Sequence, residues 1–268
     1  MIPRIIHYCW FGNHEKPESV KKYISTWQKF CPDYRIIEWN EGNFDVKQNT
    51  YCYEAYRAKK WAFVTDYVRL KVLYDYGGIY MDTDVEVTKS LDDLLNFNAV
   101  SGYEVNNLIP TGTMAACKEN RWIHFLLQAY DELSFIKSDG SYDLTPNTIL
   151  ITRLTKDHYC IELNGNKTIF DDNIVLLPYD YLCAKSYETG EITKTDNTYT
   201  IHHFSGSWLP DEFLLQREAC YKMWKWLFWL KHKKLKIKIY NFLITVFFED
   251  WQSLLKKIKL NLFNYFNT

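Results

Sequence analysis

The segment Gly77-Gly-Ile-Tyr-Met-Asp-Thr-Asp84 constrains this chain more than any other. Upstream of it, Tyr53 to Tyr76 reads as a long helix, with Val64, Val68 and Val72 on one stripe. Two consecutive glycines are a helix stop, because glycine reaches left-handed backbone at no steric cost. Ile79-Tyr-Met81 then reads as a buried strand, which delivers Asp82 and Asp84 at its carboxyl end, where open α/β sheets place their ligands. A helix, a sharp turn and a strand ending in acids predict an α/β sheet with its site beside Asp82 and Asp84.

The rest of the chain fits one α/β domain with an appendage. Arg4 to Trp10 reads as a short strand, Val20, Ile24, Trp27 and Cys31 recur at helical spacing, and Tyr34 to Trp39 reads as a second strand, which makes a β-α-β beginning. Further on, Asn120 to Ile136 predicts a helix, Tyr142 to Leu154 a loop and helix, Ile174 to Pro178 a strand and Tyr199 to Phe204 a last strand. Aromatics make up 18% of the 268 residues, enough for a packed core with rings left over for flat ligands.

Charge is unevenly divided although the net value is -1: residues 209–268 hold eleven Lys or Arg against five Asp or Glu, so the body is acidic. An acidic body excludes a broad phosphate-backbone footprint, and no nucleic-acid partner is expected. It suits a divalent cation instead.

Asp82 and Asp84, two apart on extended backbone, share a face and can converge on one hard cation, Mn2+ or Mg2+. A solvated turn with two carboxylates is the competing reading of that pair. Asp66 and Arg69 lie at i and i+3 on the preceding helix, either as a structural ion pair or as an acid and a guanidinium facing the metal and its ligand.

Four blocks in order, Ile5-Ile-His-Tyr-Cys-Trp-Phe-Gly12, Phe63-Val-Thr-Asp-Tyr-Val-Arg69, Gly77 to Asp84 and His202-His-Phe-Ser-Gly-Ser-Trp208, resemble the motif set of glycosyltransferase family 32. They are also similar to the glucosyltransferase domains of large clostridial toxins. The resemblance implies a GT-A type nucleotide-sugar-binding fold over residues 1–208, and a retaining, metal-dependent transfer of a hexose to a glycan or lipid-linked acceptor. UDP-sugars are favoured over GDP-sugars, and bacterial capsule or lipopolysaccharide synthesis is the expected setting.

Roles follow from the same resemblance. Trp10 stacks on the nucleotide base, Asp66 and Arg69 grip the donor sugar, Tyr80 lines the donor pocket, Asp82 touches ribose and metal, and Asp84 ligates the metal. Ser207 and Trp208 hold the donor diphosphate. His203 falls where a third metal ligand is expected, with His202 one residue away as the alternative. For Trp10 and for either histidine, a plain core role competes, and His7 reads as structural. Two other functions compete as well: a haloacid-dehalogenase-like phosphatase with Asp82 as nucleophile, and a non-catalytic carbohydrate- or membrane-binding protein.

Residues 209–268 read as a mostly helical, basic, aromatic tail, suited to lying on an anionic membrane surface. Its longest apolar run, Phe242 to Phe248, is too short to span a bilayer. Seven scattered cysteines and no signal-like N-terminal segment predict a cytoplasmic location, peripheral on the inner face of the membrane.

Overall fold

The computed structural model describes residues 1–104, 107–206, 209 and 211–232; within the last stretch the side chains of 223 and 226–232 are not described. Strand β1 (Ile5–Cys9) leads through α1 (Glu18–Phe30) to β2 (Arg35–Trp39), as the opening periodicity predicts. The expected helix from Tyr53 to Tyr76 is two helices, α2 (Thr50–Arg57) and α3 (Trp61–Tyr76). The break falls at Ala58-Lys59-Lys60, where Lys59 adopts φ 56°; a left-handed lysine carries no glycine or proline to announce it. Asn49 caps α2 by accepting from the Cys52 N–H.

Strand β3 (Gly78–Met81) follows, then β4 (Val85–Val87), β5 (Ala99–Gly102) and β6 (Thr113–Ala116). Helices α4 (Arg121–Asp131) and α5 (Asn147–Tyr159) precede β7 (Thr168–Phe170), β8 (Ile174–Leu177) and the short α6 (Tyr179–Leu182). The last described elements are β9 (Thr200–His202) and α7 (Asp211–His232).

Among the described residues these strands form a mixed seven-stranded sheet, ordered β2-β1-β3-β6-β5-β8-β7, and a two-stranded ribbon, β4-β9. Strands β1, β2 and β3 run parallel, and β6 lies antiparallel beside β3. Helices pack against the sheet in two core clusters, so the α/β architecture expected from the sequence is present. Alternation along β3 sorts the core: Ile79 and Met81 join the cluster around Trp27 and Val85, while Tyr80 joins the one around α2, α3 and α4.

The glycine pair is required by contact as well as by conformation. Gly77 and Gly78 have φ 65° and 116°, and a Cβ on Gly78 would lie 2.6 Å from the Ile5 carbonyl oxygen. His7 closes the same corner: its Nδ1 accepts from Trp39 Nε1 at 3.0 Å, and its Nε2 donates to the Gly77 carbonyl at 2.8 Å. Burial lowers its pKa to about 4, so it is a neutral, fully bonded core residue, as its place in a buried strand suggests. All seven cysteines are free thiols, and no described helix is long and apolar enough to cross a membrane.

Candidate active site

At the C-terminal end of β3 the chain turns instead of extending: the Val85 N–H donates to the Asp82 carbonyl at 3.0 Å. The two aspartates therefore converge from a tight turn between β3 and β4, not from strand alternation. Together with His202 they offer ligand atoms that lie within 4.8 Å of one another. Two carboxylates and an imidazole are a donor set that can hold a divalent cation.

Behind this turn lies a largely buried ionic layer built on α3. Buried Arg69 lies 3.1 Å from Asp66 and 3.4 Å from Asp82, and its remaining donors go to Thr65 and Thr111. Its guanidinium also sits 4.8 Å from the centre of the Tyr80 ring, while the Tyr80 hydroxyl donates to Asp82 at 2.9 Å. Tyr80 is only 1% exposed, so it supports Asp82 and Arg69 from below instead of lining the pocket. Asp66 also accepts from Asn147 Nδ2 at 2.6 Å. Burial, reinforced by Asp82 and opposed by Arg69, raises its pKa to about 7.

Asp84 forms the outer part of the site. Its Oδ2 accepts from the Ser205 N–H at 2.6 Å, and its Oδ1 lies 3.3 Å from His202 Nε2. Burial opposes both charges, yet each partner keeps the other ionised: Asp84 titrates well below the carboxylate range and His202 well above the imidazole range. The other His202 nitrogen, Nδ1, is buried without a hydrogen-bond partner. That ring packs directly on Gly112, where a Cβ would lie 2.8 Å from it, and the Gly112 carbonyl accepts from the Asp82 N–H.

His203, the expected third ligand, points elsewhere. Its Nε2 contacts Glu86 at 2.9 Å and its ring stacks on Tyr23, so His202 takes the place beside Asp84. Strand pairing is the reason. Val85 pairs with His202 across the β4-β9 ribbon, which leaves His203 on the Glu86 side, while the turn swings Asp84 toward His202.

Trp10 is half-buried at the end of β1. Its Nε1 donates to the His14 carbonyl and Lys16 lies 5.7 Å from its ring centre, so one edge of the indole is pinned by its own loop. Ser207 and Trp208 lie outside the described residues. Sequence reasoning misses Asn147 and Thr111, which bond each other at 2.9 Å and link α5 to the Asp66–Arg69 layer. The only signal for Asn147 is its place after Pro146 at the start of a helix.

Residues 17–101 match the family described as the glycosyltransferase sugar-binding region containing DXD motif. That region contains Asp66, Arg69, Asp82 and Asp84; His202 lies beyond it. Inositol phosphoceramide mannosyltransferase 3 of Schizosaccharomyces pombe is 36% identical over 113 residues, which is 37% of this chain and 28% of that protein. Uncharacterized glycosyltransferase L373 of Acanthamoeba polyphaga mimivirus is 25% identical over 220 residues, 78% of this chain and 85% of that protein. Among solved structures, PaToxG glycosyltransferase has a TM-score of 0.45 at 21% identity, over 59% of this chain and 70% of that one.

Proposed function

Since this chain carries the DXD sugar-binding region of glycosyltransferases, we propose that it moves a hexose from a nucleotide sugar, UDP-linked in preference, to a glycan or lipid-linked acceptor with retention of configuration. The convergence of Asp82, Asp84 and His202 beside the Arg69 layer is the observation that carries this reading. Asp82, Asp84 and His202 would hold Mn2+ or Mg2+, His202 through the Nε2 that faces Asp84, and an imidazole beside two carboxylates favours Mn2+ over Mg2+. When bound, the ion supplies positive charge against the diphosphate of the leaving nucleotide. Imidazole ligates only when neutral, so the proton shared between Asp84 and His202 must leave first.

The protein's own groups do the rest. Asp66 and the Asn147 side-chain carbonyl accept hydrogen bonds from donor-sugar hydroxyls, and Arg69 holds Asp66 and Asp82 in place. Trp10 presents its ring to the base, while Ser207 and Trp208 bind the diphosphate. Retention is read as front-face attack, in which the acceptor hydroxyl passes its proton to the departing diphosphate; no side chain here is assigned as a nucleophile. Trapping a covalent glycosyl-enzyme would overturn this.

A donor screen tests the assignment. Nucleotide release from UDP- and GDP-sugars with MnCl2 is expected for at least one donor, and Asp84→Ala should lower it at least about a hundredfold. No release from any donor, or full activity in that variant, sinks the reading; aryl phosphatase activity lost in Asp82→Asn would revive the phosphatase alternative. Residues 1–208 are taken as the catalytic unit and 209–268 as a membrane-surface tail on the cytoplasmic side, in bacterial capsule or lipopolysaccharide synthesis. Flotation with anionic liposomes, with and without residues 209–268, checks the tail, and equal flotation rejects it.

A further inference from the structure

Two cations bracket the loop that holds Asp84. Lys185, in the connection between α6 and β9, donates from Nζ to the His203 carbonyl at 2.8 Å. Arg217, on α7, donates from Nη2 to the Ser205 carbonyl at 2.9 Å. Between those two carbonyls lies the Ser205 N–H that bonds the Asp84 carboxylate, and just before them the His203 N–H bonds the Asp84 main-chain carbonyl. Both cations pack against the Tyr221 ring, at 5.2 Å for Lys185 and 5.9 Å for Arg217, and both side chains are half-buried.

Like charges gathered in partly buried surroundings are costly unless an anion joins them. Among the described residues neither cation has a carboxylate partner, and Arg217 Nη1 is buried without any hydrogen bond. The guanidinium also lies so close to Gly206 that a Cβ there would be 2.8 Å from Nη1. Burial and Arg217 lower the Lys185 pKa while Asp84 opposes them, so the ammonium feels both the second cation and the aspartate. A loose surface pair would show none of this.

We propose that Lys185 and Arg217 form an anion subsite beside Asp84 that holds the diphosphate of the nucleotide-sugar donor and of the nucleoside diphosphate product. The proposal rests on the donor reading above and extends it to residues outside the four sequence blocks. It also makes α7 a wall of the site, although the sequence places this helix in the tail.

Titration calorimetry of UDP, UMP and uridine in excess MnCl2 tests it on Lys185→Met, Arg217→Met and the double variant. Losing each cation should weaken UDP about five- to tenfold, as expected for charge-assisted bonds to phosphate. Uridine affinity should stay unchanged, as should Mn2+ affinity without nucleotide. Unchanged UDP affinity, or equal losses for UDP and uridine, would overturn the subsite, since equal losses mean that the cations only shape the loop. If Arg217→Met unfolds, Lys185→Met, which gives up only one bond to a backbone carbonyl, carries the test.

Inorganic pyrophosphate is titrated in parallel, because it presents the same group without base or sugar. If wild type binds pyrophosphate and the variants do not, the subsite stands even where nucleoside diphosphates fail and the donor reading falls. If wild type does not bind pyrophosphate, the subsite is wrong. Loss of binding to phosphatidylserine vesicles with UDP affinity intact would assign the cations to a lipid surface and likewise overturn it.

Discussion

The inner and outer halves of the site are built on opposite principles. The inner half, Asp66, Arg69, Tyr80 and Asp82, comes from one helix and the strand after it, and its guanidinium is bonded on every side. The outer half joins Asp84 to His202 and Ser205, more than a hundred residues later, and leaves His202 Nδ1 unbonded. Its loop also holds Phe204 and Gly206 at φ 55° and 66°, a conformation costly for phenylalanine. The fold alone completes the inner half. The outer half keeps unspent bonding capacity and backbone strain, which suits a surface that a ligand finishes.

The largest test of this contrast is Arg69→Met. Removing the guanidinium leaves buried Asp66 and half-buried Asp82 without the cation they share, which should cost about 3–5 kcal/mol and lower the melting temperature by about 10 °C. A melting point close to wild type would mean the inner half is not structural. Next, His202→Ala should weaken Mn2+ binding about 10- to 100-fold, by analogy with the loss of a group that orients a metal ligand, and lower the melting temperature less than Arg69→Met because Asp84 keeps its bond from the Ser205 N–H. His203→Ala should change Mn2+ binding less than about threefold. Paramagnetic titration of Mn2+ decides between them, and equal losses would erase the distinction drawn from the β4-β9 register.

Asp66 offers a test in pH. Burial keeps its proton on the folded protein up to about pH 7, whereas the unfolded chain releases it near pH 4. The stability tied to this carboxyl is therefore whole below about pH 4 and lost as pH rises through about 7. In metal-free protein, urea unfolding at about pH 5 and about pH 8 should show a decline from this group of about 1–2 kcal/mol, absent in Asp66→Asn. An unchanged decline would show that Asp66 is not its source. The smallest effect is expected for Trp10→Phe, which keeps a stacking ring of lesser area and should raise the donor KM about threefold with kcat unchanged.

Much of the inner half was legible because its parts are neighbours in the chain. Spacing of three along α3 puts Asp66 and Arg69 together, and the glycine pair announces the reversal into β3. Strands β5 and β6, Ala99-Val-Ser-Gly102 and Thr113-Met-Ala-Ala116, carry no strand signal in the sequence: they are short, buried on both faces and rich in small residues, with no alternation to read. The outer half depends on a strand register, and adjacent histidines differ only in which face that register gives them. Asn147 reaches Asp66 across 81 positions, a contact no local pattern encodes.

The β4-β9 ribbon has a further consequence for the order in which the protein is completed. Val85 meets His202 across 117 positions, so β4 leaves the ribosome on the order of ten seconds before its partner strand is made. During that interval β1 to β3 and α3 have all the residues they need to pack, while the imidazole beside Asp84 does not yet exist. A nascent chain can thus commit to its core without assembling the proposed cation site, whose third side chain arrives only with the last described strand.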